Sequence, residues 1–290
     1  MLTETKAAAA LGLFDGVHLG HKSVLEKAVG YKCRGFVPAC FTFNNDSLEN
    51  KQLRKIQYIY SHEQKCRYIR ECGIEDIYSF DFEAIRTLAP SEFVKMILVD
   101  KMNCAAVVCG EDFKFGFNAC ADVHELMRLC KTYDIECRVV SQIELDGLRI
   151  SSAAVRSALS LGDIAKAKSL LGRDFSIVGT VFCDHRKGTK MGIPTLNLKT
   201  SAPLRLGVYA SNVAIDGRIY KSITNVGKRP TFYDNSDIVV ETHILDFDKN
   251  LYDCEVEVVF DGFIRDEKRF DSASELIEQI ERDIETLRLF

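Results

Sequence analysis

The chain has 290 residues, 38 Lys and Arg against 42 Asp and Glu, a net charge of −4, and 47% hydrophobic residues. A length of this order suits about two domains of roughly 150 residues each, and the composition excludes extensive disorder. The balanced charge excludes wholesale capture of nucleic acid or anionic lipid, so a phosphate ligand would need a local site. The apolar run at residues 7–14 predicts a first strand, and it is far short of the roughly 20 residues a membrane span requires. A periodic segment around Val24, Leu25, Ala28 and Val29 predicts a helix, followed by a strand over 36–43. Ser61 with Gln64 has the pattern of a capping box opening a helix that Gly73 closes, and 74–80 predicts the next strand. Helix 91–101, strand 105–110, helix 123–133 and strand 136–140 continue the alternation, with Val123, Leu126, Met127 and Cys130 forming one apolar face. Such βαβα order predicts a parallel sheet covered on both faces.

Two short helical patterns at 152–161 and 164–171 lead to Gly172, where the texture changes and a domain boundary is placed. Beyond it the apolar runs are short and alternating, as at 208–214, 239–245 and 254–260, which predicts antiparallel strands. Asp216-Gly217 between two such runs is a hairpin signal, because a type I′ turn needs positive φ at both positions. A final amphipathic helix is capped by Ser272 with Glu275 and presents Leu276, Ile277, Ile280, Ile284 and Leu287 on one face. The eleven cysteines are odd in number and contain no C-x2-C pair, so they read as reduced core thiols of a cytoplasmic protein without a secretory leader.

The segment Leu13-Phe14-Asp15-Gly16-Val17-His18-Leu19-Gly20-His21 falls where the first strand turns into the first helix. In an open α/β sheet that is the ligand crevice. Gly16 and Gly20 allow a bulky anion to approach the backbone, the helix N-terminus offers free N–H groups, and His18 and His21 supply donors. This suits a triphosphate; a metal site at the two histidines is the alternative, but no third ligand stands at a recognisable spacing. Neither G-x4-G-K-[ST] nor G-x-G-x-x-G occurs.

The H-x-G-H turn resembles the nucleotidylyltransferase superfamily, and the fuller Gly12-x-Phe14-Asp15-Gly16-x-His18-x-Gly20-His21 is similar to the bifunctional riboflavin kinase/FAD synthetases of bacteria. Gly110-Glu111-Asp112-Phe113-Lys114-Phe115-Gly116 resembles that family's adenylyl-nucleotide segment, and Ile150-Ser151-Ser152 with Arg156 resembles its second triphosphate motif. In the second half, Gly192-Ile193-Pro194-Thr195-Leu196-Asn197 is similar to the riboflavin kinase P-T-A-N motif, and Gly179 with the Arg186-Lys187-Gly188-Thr189-Lys190 run adds candidates for covering phosphates. Gly207-Val208-Tyr209-Ala210, Asn225-Val226-Gly227, Glu241 and Ile264-Arg265-Asp266-Glu267 follow in the family's order.

The resemblance implies a doubly wound α/β, Rossmann-like nucleotidylyltransferase domain at residues 1–172, making FAD from FMN. It implies a small antiparallel β-barrel riboflavin kinase domain with a C-terminal helix at 173–290. It further implies ATP as co-substrate, Mg2+ on Thr195 and Asn197, Glu241 as general base, and Asn44, Tyr209 and Arg265 against the flavin. Riboflavin, FMN and ATP are then the partners, with no nucleic acid and no membrane, and a homo-oligomer is left open. Two departures stand out. Phe41-Thr42-Phe43-Asn44-Asn45-Asp46-Ser47 replaces the family's F-T-F-[DE]-P-H-P, and Ala153 replaces a Thr in I-S-S-T-x-[IV]-R. Both fall in the first domain, so a chain that retains only the kinase activity is the alternative reading, and a non-catalytic flavin or nucleotide sensor is a third.

Overall fold

A computed structural model describes residues 5–45, 57–182, 195–228, 238–247 and 249–290. The chain divides into two compact units. The first comprises residues 1–58 and 62–152, and the second comprises 59–61 and 153–290.

The first unit holds five parallel strands, β1 (Ala7–Leu11), β2 (Val37–Phe43), β3 (Asp76–Phe80), β4 (Cys104–Gly110) and β5 (Glu136–Val140), in the order β3-β2-β1-β4-β5. Chain order reverses between β1 and β4, which makes their C-terminal ends the switch point of the sheet. β1 is buried along its whole length, and its Ala7-Ala8-Ala9-Ala10 run keeps its side chains small where covering elements pack on both faces. Helices α1 (Leu19–Val29), α2 (His62–Glu71) and α4 (Val123–Lys131) are regular. The helix predicted at 91–101 instead begins at Pro90, in the short α3 (Pro90–Glu92), and continues with wide turns over Phe93–Lys101. The Met102 N–H reaches back five residues to the Ile97 carbonyl at 2.9 Å, a π-type bond. On α4, Val123, Leu126, Leu129 and Cys130 are buried, while Met127, expected on the same face, is 45% exposed. The hairpin β6 (Glu144–Leu145) and β7 (Leu148–Arg149) leads into α5 (Ser152–Leu161).

The second unit takes in most of α5, α6 (Ile164–Leu171) and six antiparallel strands. These are β8 (Ser176–Thr180), β9 (Leu196–Thr200), β10 (Gly207–Ile215), β11 (Arg218–Lys228), β12 (Ile238–Ile244) and β13 (Glu255–Arg265). Their order is β8-β13-β10-β11-β12-β9, and β8 approaches β9, so the sheet is a nearly closed barrel. Asp216 and Gly217 have φ of 50° and 75°, as the hairpin signal requires. Inside the barrel, the Ser211 hydroxyl lies 2.7 Å from those of Ser222 and Thr224, and Thr224 lies 2.8 Å from Thr242. All four are fully buried, so mutual hydrogen bonding offsets the cost of removing them from water. Helix α7 (Ala273–Thr286) is capped as expected, with Ser272 accepting from the Glu275 N–H.

Candidate active sites

In the first unit a cavity of about 380 Å3 opens at the switch point, lined by Leu11–Phe14 of the β1 exit, Gly110 and Asp112–Lys114 of the β4 exit, and Arg149–Ser152. His18, Gly20 and His21 form the floor of the same cavity. The turn that carries them is conformationally costly. Phe14, Gly16 and Val17 have φ of 54°, 84° and 41°, and only the glycine adopts that region without strain. His18 is the N-cap of α1, and its Nδ1 accepts the His21 N–H at 3.2 Å, so the proton of the neutral ring is assigned to Nε2. The two imidazoles stack at 3.7 Å with 17° between planes, and the Phe14 ring meets His21 edge-on at 5.3 Å. A Cβ on Gly20 would stand 3.1 Å from the His18 ring, so any other residue here would push the capping ring aside by a few tenths of an ångström.

The segments expected to act together are tied together. The Ser152 hydroxyl donates to the Asp15 carbonyl at 2.8 Å across 137 residues of sequence, fastening the start of α5 to the histidine turn. Ser151 lines the cavity beside it, and Gly12 lies on the β1 exit under the Phe14 ring. Asp15 is buried at 3% exposure and is not a lining residue. Asp112 is paired with Arg149, and both side chains sit on the cavity wall. Sequence reasoning missed Arg149, although a basic residue directly before Ile150-Ser151-Ser152 was an available signal. Arg156 stands one turn later on α5, half-buried, in the second unit.

A second cavity of about 470 Å3 shares Phe41, Phe43, Phe113 and Lys114 with the first and adds Phe82, Phe93, Phe115 and Phe117. It is an aromatic box that shares a wall with the histidine cavity. Nothing in the local pattern marked it, because its walls come from four separate stretches of chain. Asn44, expected at the flavin, lines neither cavity; its Nδ2 donates to Asp81 Oδ1 at 2.9 Å, next to the β2 exit.

In the second unit a cavity of about 420 Å3 lies between the outer barrel face and α7, lined by Thr195, Asn225, Glu241, His243 and Arg265 among others. Across the sheet, Asn197, Glu241 and Asn225 are direct partners on β9, β12 and β11, which puts them on one face. Asn197 is 4% exposed, and among the described residues its Oδ1 accepts no hydrogen bond. A buried acceptor without a donor is costly, and it suits a site completed by a ligand or cation. Arg265 is on the cavity wall, but its guanidinium is committed. Nη2 donates to Asp283 Oδ2 at 2.7 Å and Nε to Oδ1 at 3.0 Å, and Asp283 is also held by Gln279 of α7. Its role here is therefore to fasten α7 over the cavity.

Tyr209 does not reach this cavity. It is fully buried on the inner face, packed edge-on against Phe260 and Phe263, with its hydroxyl donating to the Arg205 carbonyl at 2.6 Å. Burial pushes the Tyr209 phenol up from its ordinary value. Its neighbour Val208 is the residue that faces the cavity. Gly179 lies in β8 and is not a lining residue; Gly188, Pro194 and the 186–190 basic run lie outside the described residues.

Family models for FAD synthetase and riboflavin kinase match residues 2–154 and 171–290. A protein of Pseudomonas fluorescens named bifunctional riboflavin kinase/FMN adenylyltransferase is 32% identical over 97% of this chain and 91% of its own length. One of the same name from Escherichia coli (strain K12) is 33% identical over the same shares. The chain belongs to the bifunctional riboflavin kinase/FMN adenylyltransferase family. It therefore carries both a nucleotidyltransferase and a kinase module of this transferase family, each using ATP as co-substrate. A solved structure from Streptococcus pneumoniae, described as a macrolide-efflux protein, is 29% identical, covers 99% of this chain and 95% of its own, and has a TM-score of 0.83. Among the described residues of the present chain no helix is long and apolar enough to cross a membrane.

Proposed function

We propose that the chain makes FMN from riboflavin in the second unit and FAD from FMN in the first, with the site residues divided as follows. In the barrel, the riboflavin 5′-hydroxyl attacks the γ-phosphorus of ATP while Glu241 accepts its proton, and ADP leaves. Thr195 and Asn197 would hold Mg2+, and the unmatched Oδ1 of Asn197 beside a carboxylate supports a hard cation there. When bound, Mg2+ supplies positive charge to the phosphates being transferred. Arg265 and Asp283 keep α7 in place as the far wall.

In the first unit, an FMN phosphate oxygen attacks the α-phosphorus of ATP, and the bond to pyrophosphate breaks. His18 and His21 donate to the phosphate oxygens as charge builds at the α-phosphorus, aided by the N-terminus of α1. Ser151 and Arg149 line the cavity and would meet the departing pyrophosphate, while the role of Arg156 at that charge rests on the family resemblance alone. The aromatic box receives the isoalloxazine ring. The observation that carries this reading is the wall that box shares with the histidine cavity, which gives a planar ring and a triphosphate adjoining places. The free cysteines among the described residues fit a reducing compartment and support a cytoplasmic setting.

The test is flavin chromatography after incubation with ATP and Mg2+, starting once from riboflavin and once from FMN. FAD from both inputs is expected. FMN from riboflavin without FAD from either input would reduce the chain to a kinase.

A further inference from the structure

Lysines are almost never fully buried without a partner, because water solvates an ammonium far better than a protein interior does. Lys65, on α2, is 1% exposed. Its Nζ donates to the Phe43 carbonyl at 2.8 Å and to Asn45 Oδ1 at 2.9 Å, and Asn45 is itself 7% exposed. Burial lowers the Lys65 pKa from the usual lysine value, while Cys66, Asp15 and Cys40 pull the other way. The protein thus bears the cost of an interior charge to hold one short piece of backbone and one side chain.

That piece is the exit of β2. No residue of α2 lines either cavity of the first unit, yet Phe43, the last residue of β2, lines both. The Phe43 ring packs edge-on against Phe41 at 5.2 Å and Phe82 at 5.5 Å, so a shift of its backbone would move an aromatic wall. We propose that Lys65 is a positioning residue for adenylylation: by clamping Phe43 and Asn45 it fixes the Phe43 ring at the junction of the two cavities and so seats the flavin. This rests on the assignment of the aromatic box to the flavin ring. It predicts a larger effect on FMN than on ATP, because the ATP phosphates are assigned to the histidine turn while Phe43 is a wall of both cavities.

The experiment is steady-state FAD formation by full-length Lys65→Met, with FMN and ATP varied separately. The KM for FMN should rise roughly tenfold, the size expected for losing a charged hydrogen bond. The KM for ATP should change much less, and the rate of riboflavin phosphorylation should stay at its wild-type value. Lys65→Arg, which keeps a charged donor, should recover part of the FMN affinity. Asn45→Ala leaves the lysine in place and should give a smaller shift in the same direction; it decides the matter if Lys65→Met does not fold. Equal changes in both KM values, a change in kcat alone, or no change overturns the role of Lys65. A wild-type chain that forms no FAD overturns the flavin assignment and this proposal with it.

Discussion

The two cavities solve related phosphate problems with different materials. In the first unit the proposed working groups are a helix N-terminus and two stacked histidines, delivered by nine consecutive residues on a strained turn. In the second the proposed groups are Glu241 and Asn225 of the cavity wall with Asn197 beside them in register, one side chain from each of three adjacent strands. In the proposed chemistry the first arrangement offers donors to a phosphate whose nucleophile is already charged, and the carboxylate among its described lining residues, Asp112, is paired with Arg149. The second places a carboxylate at its centre, as a neutral hydroxyl nucleophile demands. The protonation state of each nucleophile thus matches the groups around it.

The sharpest way to break this comparison is Glu241→Gln. It should lower riboflavin phosphorylation by roughly a hundred- to ten-thousand-fold while leaving FAD formation from FMN intact, measured by separate assays of each step. A parallel loss in both would show that Glu241 does not belong to one centre. His21→Ala should do the reverse, cutting FAD formation by about a hundred- to a thousand-fold, the scale of one lost oxyanion donor, with FMN formation unchanged. An unaltered rate of FAD formation would remove His21 from the chemistry.

Two smaller effects concern the barrel unit. Asp283 has a side chain 3% exposed against the Arg265 guanidinium, so Asp283→Ala leaves a partly buried charge unmatched. It should cost about 3 kcal/mol in the unfolding of the barrel unit and raise the KM for riboflavin as α7 loosens; chemical denaturation and kinetics read the two effects. Tyr209→Phe removes one hydrogen bond to the Arg205 carbonyl and should cost about 1 kcal/mol with the riboflavin KM unmoved. A large KM change would return Tyr209 to the flavin.

The same contrast explains what was legible in the sequence. The histidine turn could be read directly because its glycines, its cap and its donors are neighbours in the chain, and the β-α alternation fixed where in the sheet it would fall. The aromatic box could not, since Phe41, Phe82, Phe93 and Phe115 each look like ordinary core residues until β2, β4 and the loops beside them are assembled. The resemblance puts Tyr209 against the flavin, but the strand turns it inward and Val208 lines the cavity, because on an alternating strand motif resemblance does not tell which parity faces the interior. Arg265 lies on the cavity wall, and its commitment to Asp283 depends on how α7 packs, which no local spacing reveals. Met127 failed for a related reason, because the buried stripe of α4 runs through Leu129 instead. Lys65 gave no signal at all, since a lysine in a helix reads as exposed.

Mixing the two crippled variants tests the claim of two self-sufficient centres most directly. Glu241→Gln and His21→Ala are incubated together with riboflavin, ATP and Mg2+, and the flavins are separated by chromatography. Neither variant alone should carry riboflavin through to FAD, while the mixture should, with FMN made by one chain and adenylylated by the other. Accumulation of FMN without FAD in the mixture would contradict the division of chemistry between the two units.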